Sequence, residues 1–241
     1  PPLFKGYLLP VAGKNKYCSL GTNTELKQIE KNLSSKLKSC THFFGGFGQH
    51  PFAQKFFDAK SDKALPIEHG NADYYAEHDV PHLSDMTKTA LTVLEKNDRG
   101  FLLMIESGLI DWIGHMNKRF PTKYDALEAN NIEMEELHRT VQVVDEFIKK
   151  HPETLVVVTA DHETGGLILD TKNTNCLGEP KCVAQHKWTS PEYASGSESY
   201  AKHTDVPVNV YATGPGSKLF NLKEIDNTDF VPSILEAGFL R

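Results

Sequence analysis

Phe101-Leu-Leu-Met-Ile-Glu106-Ser-Gly-Leu-Ile-Asp111-Trp-Ile-Gly-His115 joins an apolar run to two carboxylates and an imidazole. A short, continuous apolar run is the pattern of a strand buried on both faces. Asp111 and His115 are four apart, so a helix after the strand would place both on one face. Glu106 closes the apolar run. The pattern recurs twice. Leu155-Val-Val-Val-Thr159 leads to Ala160, Asp161 and His162, and His203-Thr204 comes just before Val206-Pro-Val-Asn-Val-Tyr211. Three strand candidates therefore each adjoin Asp, Glu or His. Sites in open α/β sheets gather at strand ends. Carboxylate and neutral imidazole are ligands of zinc, and carboxylate alone suits magnesium. Glu106, Asp111, His115, Asp161, His162 and His203 thus form a candidate site for two or three divalent cations. Such a site can clamp both oxygens of a phosphoryl displacement. Taken singly, each residue has a plainer reading. An Asp-His pair after a strand can cap a turn, Glu106 suits a helix N-terminus, and His203 can be a surface histidine. Their joint placement at three strand ends carries the inference.

The surrounding chain predicts an α/β fold. Leu83, Met86, Ala90, Leu91 and Leu94 have the spacing of a helix over 82–96. Leu127, Ile132, Leu137, Val141, Val144 and Ile148 predict a long amphipathic helix over 124–150, closed by Pro152. Helices alternating with apolar strands indicate βαβ units and a mostly parallel sheet. Residues 163–202 read as one long connection rich in Gly, Ser, Pro and Lys, with His186 as a secondary candidate inside it. Residues 1–80 are less regular and read as a variable peripheral region. A short helix near 23–38 stands there, with Leu26, Ile29, Leu33 and Leu37 on one face. Residues 81–241 read as the metal-binding part of the α/β domain.

The chain has 241 residues and a net charge of −6. That length makes one large domain or two small ones. The charge argues against nucleic acid as a partner, but a phosphate ester is compatible, since metal ions supply local positive charge. No apolar run of about 18 residues predicts a membrane span, and no signal peptide is visible. The start at Pro1-Pro2 reads as a processed or truncated product. Cys18 with Cys40 and Cys176 with Cys182 read as two disulfides, with free thiols as the alternative. Disulfides, together with the sequon Asn32-Leu33-Ser34, suggest a secreted glycoprotein in an extracellular or periplasmic space.

Several motifs resemble, in family order, the second half of an alkaline phosphatase. They are Met104-Ile-Glu-Ser-Gly-Leu-Ile-Asp-Trp-Ile-Gly-His115, Val158-Thr-Ala-Asp-His-Glu-Thr-Gly-Gly166, and His203-Thr204 through Val210-Tyr-Ala-Thr-Gly-Pro-Gly216. Pro81-His-Leu-Ser-Asp-Met-Thr-Lys88 resembles the helix before that family's metal-binding strand. The resemblance covers roughly residues 80–240. It implies an alkaline-phosphatase-like three-layer sandwich: a mostly parallel central sheet with helices on both faces, completed by an N-terminal segment. It also implies residue roles. Asp111, His115 and His203 would hold a first Zn²⁺, Asp161 and His162 a second, and Glu106 would help hold Mg²⁺. Trp112 would line the substrate pocket. The implied reaction is hydrolysis of a phosphate monoester through a phosphoserine, in a homodimer.

The family's serine nucleophile, bridging aspartate, magnesium-binding Thr or Ser, and phosphate-clamping arginine belong to an N-terminal half. No stretch of this chain resembles that half. The expectation is therefore the C-terminal part of a nicked or split enzyme, without a catalytic nucleophile of its own. Its partner would be the N-terminal segment. The alternative is a secreted zinc-binding, phosphatase-like protein without catalytic activity. A related hydrolase for sulfates, diesters or phosphosugars suits the Asp-His pair but not the Glu106–Asp111–His115 spacing.

Overall fold

The computed structural model describes residues 16–40, 42–47, 79–117, 126–169, 186–189, 192–195, 198–221 and 224–239. The chain divides into two compact units. The first is Pro1–Ser107 with Ile132–Val144, and the second is Gly108–Asn131 with Asp145–Arg241. The helices are α1 (Asn23–Lys31), α2 (Leu33–Ser39), α3 (Leu83–Leu94), α4 (Leu109–His115), α5 (Ala126–Ile148) and α6 (Phe230–Glu236). The strands are β1 (Tyr17–Leu20), β2 (His42–Gly45), β3 (Val156–Val158), β4 (Glu163–Thr164), β5 (Leu167–Leu169), β6 (His186–Trp188), β7 (Glu192–Ser195), β8 (Glu198–Ala201), β9 (His203–Thr204) and β10 (Tyr211–Thr213).

In the first unit, Thr22 starts α1 by accepting the Glu25 amide on its hydroxyl at 3.1 Å. The expected single helix over 23–38 is two helices, because the backbone breaks at Asn32 (φ −125°, ψ 28°). Of the expected apolar face, Leu26 and Ile29 are buried, and α1 packs on α3, where Leu91 is buried. β1 and β2 pair in parallel from Tyr17↔His42 to Leu20↔Gly45. The expected Cys18–Cys40 disulfide ties β1 to the residue after α2.

The part of α5 in this unit carries a titrating cluster. Glu136 accepts the Ser84 amide at 2.9 Å, lies 3.3 Å from His82 Nδ1, and accepts from Arg139 Nη1 at 3.1 Å. Burial alone would raise the Glu136 carboxyl, but the adjacent His82 imidazole and the hydrogen bond from the Ser84 amide hold it below the ordinary carboxylate range. Among the described residues, Glu133 has no such donors. Burial first, then the neighbouring Glu136 charge, push it up to about 7, against a weaker pull from His82. An acid whose folded pKa is raised favours the fold in its protonated form. Its contribution is complete below the ordinary value of 4.5 and is lost as pH rises through about 7. Glu133→Gln, a mimic of the protonated acid, is expected to be more stable than the parent by roughly 3 kcal/mol at pH 8. The gap should narrow to about 1 kcal/mol at pH 5. Urea unfolding at the two pH values measures it, and a pH-independent gap would contradict the assignment.

In the second unit β3 pairs antiparallel with β10, from Tyr211↔Val158 to Thr213↔Val156. β4 pairs with β9, β5 with β6, and β7 with β8, all antiparallel. Residues 163–202 are thus not one loop: the described portions form hairpin strands. The α/β class holds. Among the described residues, however, the parallel ladder is β1–β2, and the strands beside the candidate ligands pair antiparallel. Phe101–Ile105 forms no ladder, and Leu102 and Met104 are 69% and 84% exposed. The Val206–Tyr211 run pairs only from Tyr211 onward, and Val206 is exposed. A strand needs a neighbour for its amides and carbonyls. Among the described residues, 101–105 join no ladder, and 206–210 join none before Tyr211. Cys176 and Cys182 lie outside the described residues. No described helix is long and apolar enough to cross a membrane.

Candidate metal centre

α4 places its residues by helical period. Ile113 and Gly114 are buried, while Asp111 and His115 meet across one turn, with Asp111 Oδ1 3.4 Å from His115 Nε2. Gly114 explains how closely α4 approaches β4. A Cβ there would lie 2.9 Å from the Thr164 carbonyl oxygen and 3.0 Å from Thr164 Cγ2. Gly165 answers it from the strand side. Its φ is +91°, and a Cβ would lie 2.7 Å from the Trp188 ring and 2.8 Å from the Gly114 carbonyl oxygen.

β9 brings in His203. Its Nε2 lies 3.0 Å from His115 Nε2 and 3.9 Å from Asp111 Oδ1. Zinc bonds of about 2.0–2.1 Å in a tetrahedron put neighbouring donors roughly 3.3–3.4 Å apart. The Asp111–His115–His203 trio, with separations of 3.0, 3.4 and 3.9 Å, brackets that spacing. The tautomers suit it too. His115 Nδ1 is 2.6 Å from the Ala201 carbonyl oxygen, which can only accept. Nδ1 therefore carries the proton, and the Nε2 lone pair faces Asp111 and His203.

The second pair adjoins the first. The His162 ring stacks on His203 with centroids 3.5 Å apart. Thr164 Oγ1 donates to Asp111 Oδ1 at 2.5 Å and lies 3.1 Å from His162 Nδ1. With the hydroxyl proton directed at Asp111, His162 Nδ1 is the donor to Thr164. Its Nε2 lone pair then faces Asp161, whose Oδ2 is 3.3 Å away. The donor set is two bare imidazole nitrogens beside two carboxylates, plus His203, and this chemistry fits divalent zinc.

Five of the six expected ligands are thus gathered in the second unit. Glu106 is an exposed residue of the first unit, outside any helix or strand. Trp112, next to Asp111, is 40% exposed. His186 lies in β6. Sequence reasoning gave no role to Gly114, Glu163, Thr164 or Gly165. Glu163-Thr-Gly-Gly166 stood inside a quoted motif, but nothing in its spacing marked the Thr164 link or the glycine contacts.

The profile of the alkaline phosphatase family matches residues 14–201. The match therefore begins well within residues 1–80. Alkaline phosphatase 3 of Bacillus subtilis (strain 168) is 46% identical over 129 residues, covering 53% of this chain and 25% of that protein. Alkaline phosphatase 4 of the same organism is 30% identical over a 287-residue alignment, covering 95% of this chain and 59% of that protein. The chain thus spans a quarter to three-fifths of the length of these curated relatives. The structure of alkaline phosphatase from the Antarctic bacterium TAB5 superposes with a TM-score of 0.59 at 22% identity, over 92% of this chain and 52% of that one. A TAB5 mutant with Mg bound in its M3 site matches with a TM-score of 0.55 at 21% identity, over 92% and 52%. These likenesses give the fold as alkaline-phosphatase-like α/β. With most of its length inside the family profile, the chain belongs to the alkaline phosphatase family.

Proposed function

We infer that this chain is the metal-binding part of a secreted or periplasmic enzyme that hydrolyses phosphate monoesters. The observation that carries the reading is the convergence of Asp111, His115 and His203 at ligand spacing, within a family member. Asp111, His115 and His203 would hold one Zn²⁺, Asp161 and His162 would contribute to a second, and Glu106 would serve an Mg²⁺. Bound there, such cations neutralise phosphate charge and lower the pKa of a hydroxyl or water. The chain's own side chains do the orienting. The Ala201 carbonyl holds the His115 ring, Thr164 links Asp111 to His162, and Trp112 offers an aromatic wall beside Asp111.

The nucleophile would come from an N-terminal segment of the same enzyme. The exposed Leu102 and Met104 in one unit, and the exposed Val206 in the other, support a partner that covers these apolar side chains. The Cys18–Cys40 disulfide supports an oxidising compartment. A homodimer of the completed enzyme follows from family resemblance alone.

The test joins three measurements on the purified protein: intact mass spectrometry for the completing segment, metal content, and hydrolysis of p-nitrophenyl phosphate. The expected result is zinc on the chain and hydrolysis only when the segment is present. Zinc without hydrolysis, with the segment present, would replace this reading by a zinc-binding protein without catalysis. Absence of zinc would overturn it.

A further inference from the structure

Glu163 has no assigned task, yet its carboxylate is the most heavily bonded one described beside the candidate metal centre. Oε1 accepts the Gly166 amide at 2.9 Å and the Leu167 amide at 3.1 Å. Oε2 accepts the Gly166 amide at 3.0 Å and, through a short bond, the Thr204 hydroxyl. The residues on either side of this clasp matter. Glu163 follows His162 directly, and Thr204 follows His203. The two are cross-strand partners, Glu163↔Thr204, in a ladder only two residues long, with Thr164↔His203 beside them. The Gly165 amide adds one more tie, to the Lys202 carbonyl oxygen at 3.0 Å.

A two-residue ladder is too short to set a register by itself. The carboxylate supplies what the ladder lacks. It fastens the turn that follows Asp161 and His162 to the strand that carries His203, and it does so through a side chain adjacent to a ligand on each strand. The stacked His162 and His203 rings, 3.5 Å apart, stand next to this clasp. Charge-assisted bonds from amides and a hydroxyl are about twice as strong as neutral ones, and they are directional. We propose that Glu163, through Thr204, is a positioning residue that sets the spacing between the Asp161–His162 pair and His203, and thereby the affinity of the centre for zinc. This rests on the reading that those residues hold a metal. Glu163 itself makes no contact with substrate in this role.

The experiment titrates the full chain with Co²⁺ and Zn²⁺ alone, reading the cobalt absorption spectrum and the zinc affinity. Thr204→Val removes the hydroxyl at nearly constant volume, Thr204→Ser restores it, and Glu163→Gln removes the charge. Outer residues that orient metal ligands typically change affinity 10–100-fold. Thr204→Val and Glu163→Gln should each weaken zinc by about that factor and alter the cobalt spectrum. Thr204→Ser should return both to the parent values. The thermal midpoint of the metal-free chain checks that Thr204→Val folds, and Thr204→Ser keeps the test decisive should Glu163→Gln fold poorly. Parent-like cobalt spectra and zinc affinity in Thr204→Val would overturn the clasp and leave the metal centre standing. Absence of binding by the unchanged chain would overturn the metal centre itself, and the clasp with it.

Discussion

Replacing His203 with alanine is expected to lower the zinc affinity of this chain by roughly 100–1000-fold, because the apparent binding free energy of zinc held by protein donors, about 10–16 kcal/mol, divides among about four of them. One donor then accounts for about 2.5–4 kcal/mol. In the proposed centre, His203 would be the donor whose loss matters most to the arrangement. Its Nε2 faces His115 Nε2 at 3.0 Å, and its ring packs on His162, so it touches both ligand groups. Asp111 and His115 sit on one helix turn and persist as a pair without it. His138→Ala, on an exposed position of α5, should leave zinc affinity unchanged. Competition against a chromophoric zinc chelator measures both variants. Equal affinities in the parent and His203→Ala would remove His203 from the centre.

The parts of this centre that were legible in the sequence share a physical basis. A helix declares itself through its own period, so α3 and α5 could be read from their apolar faces, and the four-residue spacing of Asp111 and His115 suits the one turn that α4 gives them. The Asp161–His162 pair followed an apolar run that does form a strand, β3. What could not be read depends on partners distant in the chain. Phe101–Ile105 has strand composition but no ladder among the described residues, because a strand exists only with a neighbour. β4 and β9 are two residues each, far below the length at which alternation shows. The Thr164 hydroxyl that links His162 to Asp111 reaches an aspartate 53 positions away, and it looks like any other threonine hydroxyl in the sequence. Residues 163–202 read as a loop for the same reason: hairpin strands such as β7 and β8 acquire meaning only in register, Tyr193 opposite Tyr200. The glycines were the most readable of the missed features. Gly165-Gly166 sits directly after the ligand-bearing turn, where a left-handed backbone or a close approach is the usual reason for glycine.

Gly165→Ala tests that last point, with a large expected effect. A φ of +91° is costly for any residue with a Cβ, by about 1–2 kcal/mol. The new methyl would also lie 2.8 Å from the Gly114 carbonyl oxygen and 2.7 Å from the Trp188 ring. The first of these is backbone of the helix that carries Asp111 and His115, so relief requires α4 to move away from β4. The sum should reach roughly 3 kcal/mol, which lowers the thermal midpoint by about 6–12 °C in a chain of this size. Gly100→Ala is the control. Its φ is +78°, but a Cβ there meets nothing within 4 Å, so it reports the backbone cost alone. The difference between the two midpoints measures the close approach of α4 to β4. Zinc affinity should fall in Gly165→Ala and hold in Gly100→Ala, because only the first shift separates Asp111 from the Thr164 hydroxyl that links it to His162. Equal losses of stability in both variants would show that the contact between Gly114 and Gly165 does not hold the ligands in place.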